Sequence, residues 1–310
     1  FPEADDAVLE YLTEEGQSIE PATYAPIIPM ILVNGAKGIA TGWSTEVCMY
    51  NPREIVRHLL DRIHKPHDQV RELKPWYRGF TGTITPLPTK YKTQGVYTFT
   101  KPNQVHITEL PIKTWTAPYV DKLHLLKESK AKHSLTCVTH VQDNSSDTQV
   151  DIRVTLRPSS YVKYVQNHDQ FETDFGLVGY LNRRNMHLLD ANSTIKKYTV
   201  PEIVDEFTQF RLAMYAKRKT HQLQQYEDQL TFLAHKVRFV QAVLAETIQL
   251  RNVSKSKTIA AMVQHDIPES LHDKFLSMPL SSLHTQRVKE LVNLRTRTTQ
   301  AKHQLAQLTL

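Results

Sequence analysis

From Val200 the chain runs without proline or glycine, past Pro201, until Pro268. Within that run Leu223, Tyr226, Leu230, Leu233, Val237, Val240 and Leu244 recur at alternating spacings of three and four. Such a rhythm is a heptad seam, and a seam needs a packing partner. Leu291, Leu294, Thr298, Ala301, Leu305 and Leu308 repeat it near the C-terminus. Two seams in one chain, separated by a compact stretch, predict an antiparallel coiled coil with a small head between its arms. The first arm is expected from Val200 to about Leu250, with Pro201 at its start.

The rest of the chain is patterned differently. Asn51 is placed to cap a helix with Pro52 at its first position, and Ile55, Val56, Leu59, Leu60 and Ile63 predict one apolar face. Short alternating runs at Phe80–Ile84, Val96–Phe99, Val105–Leu110 and Asp151–Leu156, punctuated by Pro86, Pro88, Gly95 and Pro102, predict β-structure from about 76 to 156. Lys127 to Asp147 is polar and serine-rich and reads as an exposed, mobile connection. Near the N-terminus, Ala7 to Leu12 reads as a short strand or helix end and Glu14-Glu-Gly16 as a turn. Pro21, Pro26 and Pro29 keep the next segment extended.

Composition narrows the function classes. No run approaches the 18 apolar residues of a membrane span, and no signal peptide is evident. The opening Phe1-Pro-Glu-Ala-Asp-Asp, without methionine, reads as part of a longer chain. The two cysteines, Cys48 and Cys137, are too few for a disulfide framework or a zinc site and fit a reducing compartment. None of the fifteen histidines falls in a metal-ligand spacing. A net charge of +6 and a pI near 9.1 are compatible with a polyanionic partner.

One stretch carries a sharper signal: Pro29-Met-Ile-Leu-Val-Asn-Gly-Ala-Lys-Gly-Ile-Ala-Thr-Gly-Trp-Ser44. A strand-like apolar run, Ile27 to Val33, breaks into a loop holding Gly35, Gly38 and Gly42, with Lys37 and Ile39 between them. Glycines permit positive φ and close approach of another backbone. Composition alone leaves two uses for Ile39. It can tuck into the chain's own core, or it can serve as a wedge pushed between stacked bases.

The same stretch resembles the DNA-gate loop of type IIA DNA topoisomerases of the eukaryotic and large-DNA-virus kind. The likeness runs through Ile19-Glu-Pro-Ala-Thr-Tyr-Ala-Pro-Ile-Ile-Pro-Met30, Asn34-Gly-Ala36, Gly38-Ile39 and Thr41-Gly-Trp-Ser44. It continues through the helix at Asn51, through Trp76–Ile84 and Ile107–Thr116, through Met186–Asp190 and Ile195–Tyr198, and through Phe275-Leu-Ser-Met-Pro-Leu280. Two letters depart from the pattern: Lys37 stands where an acid is usual and Ala40 where glycine is frequent.

The resemblance implies an α+β chain. It would comprise the end of a winged-helix domain with the wedge loop (1–50), a β-rich tower domain (51–199), and a long antiparallel coiled coil with a small helical exit-gate head (200–310, head about 251–285). Ile39 would intercalate and bend DNA. Lys37, Thr41, Trp43 and Ser44 would line the DNA, joined by Asn182, Arg183 and Arg184 from the segment Phe175–Asn185; the bland alternative for that segment is a solvated basic turn. Arg211, Lys217, Arg218 and Lys219 read first as a solvated face, with a nearby DNA path second. The partners implied are double-stranded DNA and a second copy through the exit gate, with no membrane and no small-molecule substrate in this segment.

The chemistry of strand cleavage is expected elsewhere. The family's tyrosine nucleophile sits in a Pro-Arg-Tyr context just upstream of the stretch that begins this chain, and none of the thirteen tyrosines here follows an arginine. The family's acidic metal motifs and any Gly-rich ATP loop are missing, so Mg2+ and ATP are implied only for a full-length enzyme, and this segment should be inert alone. Glu3 and Asp5 are spaced like paired acids, but the resemblance makes them linker residues. The compartment implied is the nucleus for a cellular protein and host cytoplasm or nucleus for a viral one. The competing class is a non-enzymatic architectural DNA-bending protein with a coiled-coil dimerisation arm. The residues encoded before Phe1 would separate the two.

Overall fold

The computed structural model describes residues 1–64, 72–100, 102–128, 137–190 and 193–309. A 3-10 turn at Glu3–Val8 is followed in order by β1 (Tyr11–Glu14), β2 (Gln17–Pro21), α1 (Met30–Asn34), β3 (Ala36–Ala40), β4 (Trp43–Val47) and α2 (Pro52–His64). Next come β5 (Thr83–Pro86), β6 (Lys90–Gln94), β7 (Val96–Thr100), β8 (Gln104–Glu109), α3 (Thr116–Glu128), β9 (Val138–Asp143) and β10 (Ile152–Leu156). The order continues with α4 (Pro158–Gln166), α5 (His168–Asp174), β11 (Val178–Asn182), β12 (His187–Leu189), β13 (Ile195–Lys197) and α6 (Val200–Leu244). It ends with α7 (Lys255–Gln264), α8 (His272–Leu276) and α9 (Thr285–Gln307). The fold is mixed α and β, as the sequence implies.

The chain forms two compact units: Phe1–Ile27 with Gln209–Leu310, and Ile28–Thr208. These units cut the chain differently from the sequence divisions at 50 and 199. The reason is visible in the packing, because Leu32, Val47, Cys48 and Tyr50 share one core with Tyr91, Leu181, Met186 and Val204.

In the unit of residues 28–208, one core lies beneath the antiparallel sheet β7-β8-β10-β9. Val105, Ile107, Ile152, Val154 and Leu156 meet Leu123 of α3, Tyr164 of α4 and Phe171 of α5 there. Strict alternation in β8 and β10 puts their apolar residues on one face. The segment expected as a mobile connection therefore differs: β9 occupies Val138–Asp143 and pairs with β10, and residues 129–136 lie outside the described set. The second core sits under the sheet β11-β6-β5.

Helix α2 begins as expected, with Asn51 Oδ1 accepting from the Arg53 amide at 2.9 Å. Its apolar face is only half used: Ile55 is buried, while Val56, Leu60 and Ile63 are exposed. Arg62 instead makes a bidentate bond to Asp205, at 2.6 and 2.7 Å from one guanidinium nitrogen.

The N-terminus of α6 is a capping box. Glu202 accepts from the Thr199 amide and hydroxyl at 2.7 and 2.8 Å, and the Thr199 hydroxyl accepts from the Glu202 amide at 3.5 Å. The helix stops at Leu244, earlier than expected, where Glu246 turns left-handed at φ 56° and the Thr247 amide returns to Ala242.

In the other unit, α6 and α9 run antiparallel. Lys219 donates to the carbonyls of Ala306 and Leu308, and Lys302 lies 3.3 Å from Glu227. Leu233, Val237 and Val240 are buried with Leu291, Phe275 and Met262, so the head formed by α7 and α8 packs on the helix pair. The seam frays at Leu244, Leu294 and Leu308, which are exposed.

The charged run at the start of α6 is a solvated face only in part: Lys217 is exposed and Arg218 and Lys219 are half-buried, but Arg211 is not solvated. Arg211 is buried and lies 2.7 Å from Asp5, which is itself buried; Arg218 lies 3.2 Å from the same carboxylate. Asp5 is thus an anchor rather than a linker residue. Sequence reading missed it because its partners stand more than 200 positions away.

Candidate nucleic-acid interface

The apolar run expected as a strand folds otherwise. Pro29 precedes a single helical turn, Met30–Asn34, which buries Leu32. A short apolar run does not by itself distinguish strand from buried helix. Gly35 ends the turn at φ 65°, where an added Cβ would stand 2.8 Å from the Val47 carbonyl oxygen. That close approach fixes the base of the following hairpin.

β3 and β4 pair residue for residue, Ala36 with Val47 through Ala40 with Trp43, closed by the two residues Thr41 and Gly42. Gly42 takes φ 79°, a conformation that glycine adopts without a Cβ penalty. Alternation sets Lys37 and Ile39 on one face, and Ala36, Gly38 and Ala40 on the other. Ile39 is 85% exposed, among the most exposed large apolar side chains described. It does not tuck into a core. Lys37 is exposed and makes no ion pair among the described residues. Thr41 and Ser44 are exposed, and Trp43 is half exposed with its ring edge-on to His187 at 5.4 Å.

The hairpin is held from behind. The Glu46 amide donates to the Asn185 carbonyl at 2.6 Å, and Asn185 Nδ2 donates to the Ser44 hydroxyl at 2.8 Å. His187 Nδ1 lies 2.9 Å from the Ser44 carbonyl, so that nitrogen carries the proton. Lys113, left-handed at φ 73°, pairs with Glu46. Asn185, His187 and Lys113 support the hairpin through partners far along the chain, which their own letters do not announce.

The structure brings the second expected segment beside the first but divides it. Asn182, the last residue of β11, is exposed; in the bend that follows, Arg184 is also exposed while Arg183 is half-buried. Arg183 donates to the Leu87 carbonyl at 3.2 Å, pairs with Glu72 and stacks 4.8 Å over Tyr91. Asn182 Oδ1 accepts from the Arg184 amide at 2.8 Å, shaping the turn. Arg184 makes no ion pair among the described residues.

Beneath the segment, burial raises the Cys48 thiol and the Tyr50, Tyr77 and Tyr91 phenols above their ordinary values. Burial thus favours the neutral form of each. Among the described residues no cluster of three or more His, Cys, Asp or Glu is placed to hold a metal ion. No described helix is long and apolar enough to cross a membrane.

A mixed fold with an exposed apolar side chain on a braced hairpin and a long antiparallel helix pair is the architecture that the resemblance implies. Comparison with known proteins agrees. The family model for DNA gyrase/topoisomerase IV, A-type subunit, matches residues 1–310. The chain belongs to that family. It is 34% identical to DNA topoisomerase 2 of Arabidopsis thaliana, over 94% of this chain and 22% of the relative. It is 38% identical to DNA topoisomerase 2 top-2 of Caenorhabditis elegans, over 85% of this chain and 17% of the relative. A crystal structure of the Plasmodium falciparum topoisomerase II DNA-binding, cleavage and re-ligation domain superposes with a TM-score of 0.87 at 30% identity, covering 100% of this chain and 45% of that one. The chain spans about a fifth of the length of these curated relatives.

Proposed function

We propose that this chain is the DNA-bending, tower and exit-gate portion of an ATP-dependent type II DNA topoisomerase, which breaks both strands of one duplex transiently and passes a second duplex through. The observation that carries the reading is Ile39, 85% exposed at the end of a braced hairpin, in a chain of this family. Forcing it into a base step costs a few kcal/mol of unstacking. Burying the isoleucine side chain returns about 1.5–3 kcal/mol, so the wedge roughly breaks even alone. The remainder comes from phosphate contacts that bending brings within reach. Lys37 lies two residues from Ile39 on the same strand face, about 7 Å away, or roughly two base-pair rises. Thr41, Trp43, Ser44, Asn182 and Arg184 extend the contact, and Arg183 stiffens the segment from inside. Wedge and phosphate contacts carry little base information, so binding is not sequence-specific.

The covalent step lies outside this segment. No tyrosine here follows an arginine, and Mg2+ and ATP belong to other parts of a full-length enzyme. The segment acts within a homodimer through the head that joins the coiled-coil arms. The compartment that fits is the nucleus for a cellular protein and host cytoplasm or nucleus for a viral one. The test is end-to-end FRET on a labelled duplex. Ile39→Ala should lower bending while keeping most of the non-specific affinity; equal bending by both proteins would refute the wedge.

A further inference from the structure

Three cations gather in the head that packs on α6 and α9. Phe232 of α6 stands 5.7 Å from Phe275 of α8, centroid to centroid, at the margin of the head's core. Lys274 of α8 holds its Nζ 4.4 Å from the centre of the Phe232 ring. Lys236, one turn along α6 from Phe232, holds its Nζ 5.7 Å from the same point. Burial lowers the Lys236 ammonium below the usual lysine value, and the neighbouring charges of Arg287 and Lys274 lower it further. Arg287, in the first turn of α9, gives one nitrogen to Glu290 at 2.7 Å, while its Nε finds no acceptor among the described residues. Lys236 and Lys274 form no ion pair among the described residues. Two other acids of the head are engaged elsewhere, Asp273 with Lys255 at 3.0 Å and Asp266 with Arg238 at 3.5 Å.

A solvated face keeps like charges apart, because distance and water weaken their repulsion. Here a half-buried lysine is held against two cations from two other helices. The Phe232 ring attracts both ammoniums but brings no net charge. Three cations against the single carboxylate of Glu290 leave a formal charge of +2. We propose that Lys236, Lys274 and Arg287 form a binding site for one phosphate dianion, free or as the terminal group of a small phosphate ester, which ties α8 and α9 to α6. The charge selects this occupant. A phosphate monoester carries close to two negative charges at neutral pH, whereas each phosphate of a nucleic-acid backbone carries one and the next stands further along the strand. Ammoniums on flexible stems can close on one tetrahedral group, and a guanidinium suits phosphate geometry. The inference goes beyond the DNA reading and stands whether or not Ile39 meets a duplex.

The test is calorimetric titration of inorganic phosphate into the full 310-residue chain at neutral pH and constant ionic strength. Wild type should bind saturably, one phosphate per chain. Lys236→Met and Lys274→Met each remove a charge-assisted hydrogen bond and should weaken binding about tenfold. Lys236→Arg should stay within about threefold of wild type. Lys289→Met, an exposed lysine two residues from Arg287 and so on the far side of α9, should bind as wild type. Without phosphate, Lys236→Met should unfold at no lower urea concentration than wild type, because it keeps the apolar stem and relieves the crowding of charge. Phosphate should then raise the midpoint of wild type more than that of Lys236→Met, since its general salting effect acts on both. Phenyl phosphate, a monoester, tells the sources apart: binding tighter than phosphate assigns the ester, and weaker binding assigns the free ion. Dimethyl phosphate, a singly charged diester, should bind at least about tenfold more weakly than phosphate. Equal binding by the diester would make the cluster a nucleic-acid contact and overturn the dianion site. Absence of saturable binding by wild type, or an equal phosphate response in wild type and Lys236→Met, also overturns it.

Discussion

Removing the Asp5 carboxylate should be among the most damaging single changes in the unit formed by residues 1–27 and 209–310. The side chains of Asp5 and Arg211 are 2% and 5% exposed and stand 2.7 Å apart. Arg211 also donates to the Ala25 carbonyl at 3.1 Å and stacks over Tyr215, but its Nε and Nη2 find no acceptor among the described residues. Asp5→Ala would leave that guanidinium buried with one carbonyl for company. Breaking such a pair typically costs about 3–5 kcal/mol, whereas replacing both partners with apolar groups is often neutral or stabilising. With a urea slope of about 2 kcal/mol/M, the midpoint should fall by roughly 1.5–2.5 M. Two probes separate the units. Trp43, Trp76 and Trp115 all lie within 28–208, so tryptophan fluorescence reports that unit only. Far-UV circular dichroism is dominated by the long helices of the other. Asp5→Ala should shift the dichroism transition, and Asp5→Leu with Arg211→Met should recover most of the shift. A midpoint change under about 0.5 M would refute the buried-anchor account.

Two further outcomes follow from the hairpin and the thiols. Gly35→Ala should destabilise the tryptophan-bearing unit by about 1–3 kcal/mol, because φ 65° strains any side chain and the new methyl group meets a carbonyl at 2.8 Å; Gly38→Ala, whose Cβ would meet only the Thr45 methyl at 3.6 Å, should fall within about 0.5 kcal/mol by the same urea assay. Burial raises both Cys48 and Cys137 above the ordinary thiol value, so the thiolate fraction at pH 8 is lower than in the unfolded chain. Iodoacetamide should modify them slowly in the native protein and rapidly in urea, and fast native alkylation by mass spectrometry would contradict that.

What could be read from the sequence was whatever depended on neighbours along the chain. Pro52 after Asn51 starts α2, the heptad seams give α6 and α9, and alternation in Val105–Leu110 and Asp151–Leu156 gives β8 and β10. The glycine spacing marks a loop at 35–42; that it is a β-hairpin closed at Thr41-Gly42 comes from the structure. What stayed illegible depended on partners far away. Arg211 looks like one more charge on a helix until Asp5 is seen against it. Arg183 and Arg184 look equivalent in sequence, yet the bend after β11 sets one over Tyr91 and beside Leu87 and Glu72, and leaves the other exposed. Asn185 and His187 are ordinary polar residues until Ser44 arrives beside them. Ile27–Val33 failed for a local reason: its apolar letters fit helix and strand alike, and packing around Leu32 decided.

The bracing behind β4 bears on what Ile39 can do. An apolar side chain on a loose loop would fold back onto the protein surface, since any apolar neighbour offers burial at about 25 cal/mol per Å2. Ile39 is denied that retreat. Its strand is paired at every residue, its base is clamped at Gly35, and Ser44 opposite it is bonded through both side chain and carbonyl. Rigid presentation lowers the entropy lost when a partner binds, and it lets the hairpin push against a stack of bases without yielding first. Weakening the brace should therefore reduce bending even where Ile39 is intact. Asn185→Ala, which removes only the bond to the Ser44 hydroxyl and leaves the Glu46 amide bonded to the main chain, isolates that effect from direct DNA contact. Its FRET bending should fall between wild type and Ile39→Ala, with the salt slope unchanged. Full wild-type bending would mean that the wedge needs no rigid mount.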